Sequence, residues 1–188
     1  MSIPELTHSS PLSYGSGPND TDETVGAPLS PLAKFAILIG ASIVAGSMAL
    51  YFGSVSQFLR ADSWYEALTQ PGWNPRNGSY VVMWIGMYAV IAVAAWRIWC
   101  IAAGAERNAA LWLYAGQLAL SALWWVLFFW AESPGLALID MVALLSAISG
   151  VTLGFWRLDR FAGALMIPYL AWVIFATVLN AALWWLNR

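Results

Sequence analysis

The sequence predicts an all-α membrane protein, a five-transmembrane-helix bundle with a long ordered loop between helices 1 and 2. Hydrophobic residues make up 61% of the chain and charged residues only 10%, whereas a soluble domain carries about 25% charged residues. The mean hydropathy is +0.67. Five separate stretches are also long and apolar enough to cross a bilayer, which takes about 20 residues.

The elements follow in order from these stretches. Residues 1–31 are rich in Ser, Pro, Gly, Asp and Thr and contain no lysine or arginine, which predicts a disordered polar tail. The tail has the features of neither a signal peptide nor a transit peptide, so the first apolar run is kept as a membrane helix. One transmembrane domain, 32–188, follows, with spans expected at 32–53, 80–102, 110–130, 135–156 and 161–186.

The links between the predicted spans are unequal in length. Segments 103–109, 131–134 and 157–160 are short, which makes sequential helices antiparallel neighbours. We expect 157–160 to be a solvated loop. The link 54–79 is long and contains two tryptophans, a tyrosine and two prolines between residues 64 and 75. A long connection of this composition is expected to be an ordered lid or binding loop.

Basic residues suggest an orientation for this multi-pass integral membrane protein. One side of the predicted bundle has Lys34, Arg97, Arg107, Arg157 and Arg160, and the other has Arg60, Arg76 and Arg188. Because cytoplasmic loops carry the excess of lysine and arginine, the N-terminus is predicted to be cytoplasmic.

Composition also excludes several function classes. A net charge of −2 provides no basic surface for nucleic acid. The single cysteine, Cys100, and the single histidine, His8, do not supply a disulfide, the usual Cys/His metal cage or paired haem ligands. No Ser/His/acid or Cys/His set can be assembled around a histidine in the tail, so no catalytic residue is assigned.

Thirteen tryptophans stand in the chain, and all but Trp64 and Trp73 lie in or at the ends of the apolar runs. Helical residues at i, i+4 and i+7 share a face. Such faces read Gln117, Ser121, Trp124, Phe128 on span three and Pro168, Trp172, Ala176, Asn180, Trp184 on span five, with Trp84 and Tyr88 on span two. Polar groups in lipid face protein or a cavity. These faces therefore predict either an aromatic pocket or a plain packed core.

Several motifs go further. They are WYEALTQPGWNP at 64–75, Trp84 with Tyr88, QLAL at 117–120 followed by Trp124, and PYLAW at 168–172 followed by Asn180. Together they resemble the TspO/MBR family of tryptophan-rich sensory proteins, called translocator protein or peripheral-type benzodiazepine receptor in animals. The resemblance covers about residues 35–188.

The resemblance implies a five-helix bundle, often a homodimer, that binds tetrapyrroles such as protoporphyrin IX or haem as ligands rather than as obligatory cofactors. It implies a ligand pocket under the first loop, built from Tyr65, Pro71, Trp84, Ser121, Trp124, Phe128, Trp172 and Ala176. The chain departs from the family pattern at Arg76, Ser121 and Trp125, so ligand preference is expected to differ from that of other members.

Three functions stay open at this point. The leading hypothesis is a membrane receptor or sensor that binds tetrapyrroles and modulates a pigment or stress response. A second is a transporter of porphyrins or small amphipathic molecules, although the sequence shows no inverted repeat. A third is a light- or oxygen-dependent porphyrin-degrading enzyme, with Trp84 and Trp172 as the candidate residues.

Overall fold

The computed structural model describes residues 29–48, 51, 64–75 and 77–188. All regular structure in these segments is helical. The helices are α1 (Pro31–Met48), α2 (Trp64–Ala67), α3 (Asn77–Ile101), α4 (Gly104–Trp125), α5 (Pro134–Leu158) and α6 (Arg160–Leu186), and a π-helical turn, Val126–Trp130, extends α4. Most of the predicted polar tail and the last part of the first predicted span lie outside the described residues.

Four stretches of these helices are long and apolar enough to cross a membrane: Val82–Ile101, Gly104–Trp130, Pro134–Leu158 and Arg160–Leu186. The described part of α1 is apolar but shorter. The prediction of an all-helical, multi-pass integral membrane protein is therefore confirmed. Its N-terminal orientation stays a prediction.

The five longer helices in the described part of the chain form a closed ring. Around the ring α1 packs against α3, α3 against α6, α6 against α5, α5 against α4, and α4 returns to α1. The contact between α5 and α6 is the most extensive, because the two helices are joined by a single residue and form a tight antiparallel hairpin.

The inward face of each helix follows a spacing of alternately four and three residues. On α5 the fully buried positions are Ala137, Met141, Leu144, Ile148, Val151 and Phe155. On α6 they are Ala162, Met166, Tyr169, Val173, Ala176, Asn180 and Leu183. A mean spacing of 3.5 residues keeps a side-chain row on one seam along a helix pair. The bundle therefore packs in the manner of a coiled coil.

Two helix connections are shorter than the sequence predicted. The link expected at 103–109 contains only Ala102 and Ala103, because α4 already begins at Gly104. Gly104 has φ +76°, a left-handed conformation that glycine adopts without steric cost. This reversal lets the backbone turn directly from α3 into α4.

The prediction of a solvated loop at 157–160 is also wrong, because only Asp159 lies between α5 and α6. Asp159 is the N-cap of α6, and its Oδ1 accepts a hydrogen bond of 2.7 Å from the backbone N–H of Ala162. The guanidinium of Arg97 on α3 donates to both carboxylate oxygens, at 2.7 and 3.1 Å. This hydrogen-bonded pairing with Arg97 holds the pKa of Asp159 below its usual range. Asp159 thus ties the α5–α6 hairpin to α3.

The two helices of the α5–α6 hairpin approach each other closely at Gly163. A Cβ added at Gly163 would lie 2.6 Å from the Cα of Trp156 and 2.8 Å from its Cβ, distances at which the backbones must separate. Gly154 on α5 behaves differently, since a Cβ there would meet only the methyl of Ala110, at 3.8 Å. The small residues near the end of α5 therefore pack against α4 within the monomer.

We expect Gly163→Ala to lower the stability of the bundle by about 1–3 kcal/mol, the usual cost of overpacking a tight contact. The matched control is Gly154→Ala, which has room for its methyl group and gains helix propensity. Thermal unfolding in detergent measures both. A Gly163→Ala variant as stable as Gly154→Ala would show that the close approach of α5 and α6 is not required.

Candidate functional site

Six aromatic side chains from three helices and the π-helical turn form one contact network, here called the aromatic cluster: Trp84, Trp124, Trp125, Phe128, Phe129 and Trp172. Trp84 is central. Its ring centroid lies 6.1 Å from that of Trp124, with the planes nearly parallel, and 6.2 Å from that of Trp172, with the planes nearly perpendicular. Both arrangements are favourable for aromatic pairs.

The π-helical turn lets neighbouring residues face inward together. In an α-helix, Phe128 and Phe129 would point about 100° apart. Here both are buried, and the wider backbone turn is shown by the N–H of Ala131 donating to the carbonyl of Val126, five residues back. Phe128 stacks on Trp124 and Phe129 on Trp125, at 5.2 and 5.3 Å. Such turns are frequent at functional sites.

The segment 64–75, here called the loop segment, covers this end of the cluster. The ring of Tyr65 lies 6.2 Å from Phe128 and 5.9 Å from Phe129, and Tyr65 is buried. Its hydroxyl accepts a hydrogen bond of 2.8 Å from Asn74 Nδ2. Burial raises the pKa of the Tyr65 phenol, although the bond from Asn74 opposes the shift. The phenol therefore stays protonated at neutral pH.

A pair of hydrogen bonds fastens the loop segment to the end of α6. The backbone N–H of Thr69 donates to Asn187 Oδ1 at 2.8 Å, and Asn187 Nδ2 donates to the carbonyl of Thr69 at 3.0 Å. Gln70 and Asn74 brace the segment internally through bonds to Tyr65 and to each other. The part of the predicted loop that the structure describes therefore packs over the cluster and is hydrogen-bonded to the residue that follows α6.

The cavity beneath the loop segment is small. It has a volume of about 10 Å³ and is lined by Tyr65, Trp124, Phe128, Phe129, Ala176, Leu179, Asn180 and Leu183. A larger hollow, about 200 Å³, lies on the far side of Trp172, between Pro75, Met83 and Phe175. The aromatic rings thus fill the centre of the site themselves, and Trp172 separates it from the hollow.

Three hydrogen bonds join polar groups of different helices near the cluster. Trp124 Nε1 donates to Asn180 Oδ1 at 3.0 Å, and Asn180 Nδ2 donates to the carbonyl of Pro134 at 2.8 Å. Deeper in the bundle, Ser121 Oγ and the Tyr88 hydroxyl share a hydrogen bond of 2.6 Å. Asn180 therefore connects α4, α5 and α6 at the level of the site.

The structure brings most of the predicted site residues together. Tyr65, Trp124, Phe128 and Ala176 line the small cavity. Trp84 and Trp172 join them through ring contacts, and Ser121 is one turn from Trp124. Pro71 is the exception, because it is not among the lining residues; its carbonyl accepts the backbone N–H of Asn74 at 3.0 Å and shapes the loop segment.

The predicted face of span five is wrong at both ends. Pro168 and Trp184 are exposed, whereas Ala176 and Asn180 are buried. The predicted row advanced by four residues at every step, and each such step drifts by about 40° around a helix of 3.6 residues per turn. Over its five positions the predicted row therefore leaves the seam at both ends, whereas the seam itself passes through Tyr169, Val173, Ala176 and Asn180.

Two buried residues were not assigned to the site from the sequence. Trp125 has no exposed surface and lies 4.8 Å from Trp124 and 5.8 Å from Trp84. Tyr169, also fully buried, lies 6.4 Å from Trp84. The alternating four-and-three spacing would have found Tyr169. Trp125 follows directly after Trp124 and lies outside the four-and-three row of α4, so the spacing did not select it.

Comparison with known proteins agrees with this arrangement. The family model described as the TspO/MBR family matches residues 38–186. The chain belongs to the TspO/MBR family. It is 32% identical to the human translocator protein over 145 residues, 75% of this chain and 85% of that protein. It is 34% identical to the tryptophan-rich sensory protein of Cereibacter sphaeroides over 122 residues, 65% and 75% of the two chains. Protein CrtK of Rhodobacter capsulatus is 29% identical over 157 residues, 83% and 94%.

We expect Asn180→Leu to destabilise the bundle at the site. It leaves the buried Trp124 indole N–H without its partner, at a cost of about 1–3 kcal/mol, and it removes the bond that ties α6 to the Pro134 carbonyl. The control is Thr177→Val on the same helix, whose hydroxyl donates to the Val173 carbonyl in its own helix, a bond that adds little. An unfolding temperature that fell equally in both variants would contradict a connecting role for Asn180.

Proposed function

We propose that this protein is a membrane receptor or sensor that binds a tetrapyrrole, of the protoporphyrin IX or haem type, at the aromatic cluster under the loop segment. One observation carries the proposal: three helices and a π-helical turn place six aromatic rings in mutual contact, with Asn180 and the Tyr88–Ser121 pair as the polar groups nearby. Flat apolar ligands bind in such aromatic-lined sites.

The site residues in this proposal are Tyr65, Trp84, Ser121, Trp124, Phe128, Trp172 and Ala176, with Pro71 shaping the loop segment. Trp125 and Tyr169 join them because both contact Trp84. Arg60 and Arg76, which could pair with propionate groups, lie outside the described residues.

Binding of a macrocycle requires the site to open. A cavity of about 10 Å³ has room for about one water molecule. The loop segment is held mainly by the Thr69–Asn187 pair and by the contacts of Trp64 and Tyr65 with Phe128. We therefore propose that the loop segment lifts and that Trp172 swings towards the 200 Å³ hollow beside it.

Titration with protoporphyrin IX in the dark, followed by the Soret absorbance of the porphyrin, tests the proposal. Trp84→Phe/Trp172→Phe is expected to raise the Kd about fivefold, since it weakens two ring contacts of about 0.5–1.5 kcal/mol each. Asn187→Ala is expected to speed association up to about thirtyfold, because the two lost hydrogen bonds to Thr69 contribute about 1 kcal/mol each.

The matched control is Trp112→Phe/Trp130→Phe, since both of those indoles are more than 70% exposed and lie outside the cluster. Saturable binding that Trp84→Phe/Trp172→Phe weakens and the control does not supports the proposal. Non-saturable binding, or equal effects of the two double variants, contradicts it. Porphyrin flux into sealed vesicles would favour transport, as the relatives named translocator protein suggest, and new pigment species under illumination would favour degradation.

We also propose that α1 is the fifth spanning helix and that the N-terminus is cytoplasmic. The helix packs against α3 and α4 within the ring, and the apolar sequence continues beyond its last described residue. Single cysteines placed at Ser30 and Arg188 in a Cys100→Ala background should be labelled from opposite sides of sealed vesicles, with Ser30 on the cytoplasmic side. Labelling of both from one side would contradict five spans. The homodimer implied by the family stays a prediction.

A further inference from the structure

A second groove lies between α1 and α4, and we call it the α1–α4 groove. Its volume is about 450 Å³. Its walls are apolar and come mainly from Ile37, Leu38 and Ala41 on α1 and from Leu111, Ala115 and Leu118 on α4. None of these residues belongs to the aromatic cluster, so any occupant of this groove is distinct from the ligand proposed above.

The length of the groove matches one leaflet of a bilayer. The two helices are in register at the hydrogen bond of 2.8 Å between Ser42 Oγ and the Tyr114 hydroxyl. From Arg107 to Leu118 the α4 wall rises by about 16 Å, at 1.5 Å per residue. Half of a hydrocarbon core that is about 30 Å thick has nearly the same length. The groove therefore runs from the headgroup region to the middle of the membrane.

The outer end of the groove carries uncompensated positive charge. Arg107 lines it, and its guanidinium donates to Asn108 Oδ1 at 3.1 and 2.9 Å. Lys34 lies one turn before Ile37 and Leu38 on the same side of α1. Within the described ranges, neither cation forms a salt bridge; the one salt bridge found there is between Arg97 and Asp159. By helical rise, Lys34 and Arg107 lie at about the same depth beyond the Ser42–Tyr114 bond.

The neighbouring groove between α4 and α5 provides a natural comparison. It ends at the same side of the bundle but is lined by both Glu106 and Arg157, which carry charges of opposite sign. The α1–α4 groove contains no acidic side chain among its lining residues. Of these two grooves, only the α1–α4 groove has both an apolar stretch as long as one leaflet and an end that carries positive charge alone.

Two indoles stand at the same end. Trp99 and Trp112 both line the α1–α4 groove, and Trp112 is 77% exposed. Tryptophan is enriched at the membrane interface, where its ring lies at the level of the lipid headgroups. This placement fits a lipid whose headgroup meets the cations while its chain follows the groove.

We propose that the α1–α4 groove is a binding site for an anionic phospholipid. One acyl chain lies between α1 and α4, and the phosphate is held by Arg107, with Lys34 adding favourable charge. Guanidinium groups bind phosphate through short charge-assisted hydrogen bonds, and basic residues at the membrane surface select acidic lipids.

Native mass spectrometry of the full chain in detergent tests the proposal, with phosphatidylglycerol and phosphatidylcholine of identical chains as probes. We expect retention of one phosphatidylglycerol in preference to phosphatidylcholine. Arg107→Gln should weaken that binding about tenfold, as expected for the loss of a charge-assisted hydrogen bond, while Arg160→Gln, the same charge change on an exposed residue at the same side, should not. Ala115→Phe should block the groove for both lipids, and Ala143→Phe, on the exposed surface of α5, should block neither.

Three outcomes would overturn the proposal. Equal weakening by Arg107→Gln and Arg160→Gln would indicate diffuse surface charge rather than a site. Loss of a dimer in Ala115→Phe with unchanged lipid adducts would assign the groove to a second copy of the chain. Lipid binding that appears only after removal of residues 1–28 would show that this segment occupies the groove. The segment carries four acidic residues and no lysine or arginine. Porphyrin binding should be unchanged in Arg107→Gln, so this test is independent of the proposed function.

Discussion

Inside a bilayer, apolar contacts between helices gain little over contacts with lipid tails, so close packing and internal hydrogen bonds must hold a helical bundle together. In this protein the inward rows on α3, α4, α5 and α6 all advance by alternate steps of four and three residues, which gives each helix one continuous seam. The hairpin at Gly163 and the Asp159–Arg97 pair then fix how α5 and α6 meet α3. The positions of Trp84 and Trp124 in the site follow from these seams.

The side chains that pack at the site differ from those in the rest of the bundle. The seam of α5 is non-aromatic from Ala137 to Val151, whereas near the loop segment the inward side chains of α4 are aromatic and its backbone widens into a π-helical turn. Aromatic pairs are favourable both offset-stacked and edge-to-face. A closed aromatic cluster under a loop held by one pair of hydrogen bonds to Asn187 therefore combines a stable resting state with a route to opening.

Much of this architecture could be predicted from the sequence, for reasons that particular residues make clear. Apolar run length placed α3, α5 and α6 within a few residues, and the spacing of Gln117, Ser121, Trp124 and Phe128 identified the buried face of α4. The start of α4 was missed because Glu106, Arg107 and Asn108 are polar enough to suggest a loop, although they are helical. The role of Asp159 was missed because its partner, Arg97, is 62 residues away in the sequence, and Trp125 was missed because it lies one position beyond Trp124, outside the four-and-three row of α4.

The π-helical turn has a consequence for how this end of the protein can vary. Such a turn is equivalent to one residue inserted into an α-helix, so it separates two registers within a single span. Upstream, the residues of α4 are constrained by their contacts with α1 and α5. Downstream, the turn keeps its contact with α5, while Phe128 and Phe129 also meet the loop segment and line the small cavity with residues of α6. Changes after Val126 therefore act on the loop segment and the cavity while leaving the contact between α1 and α4 unchanged.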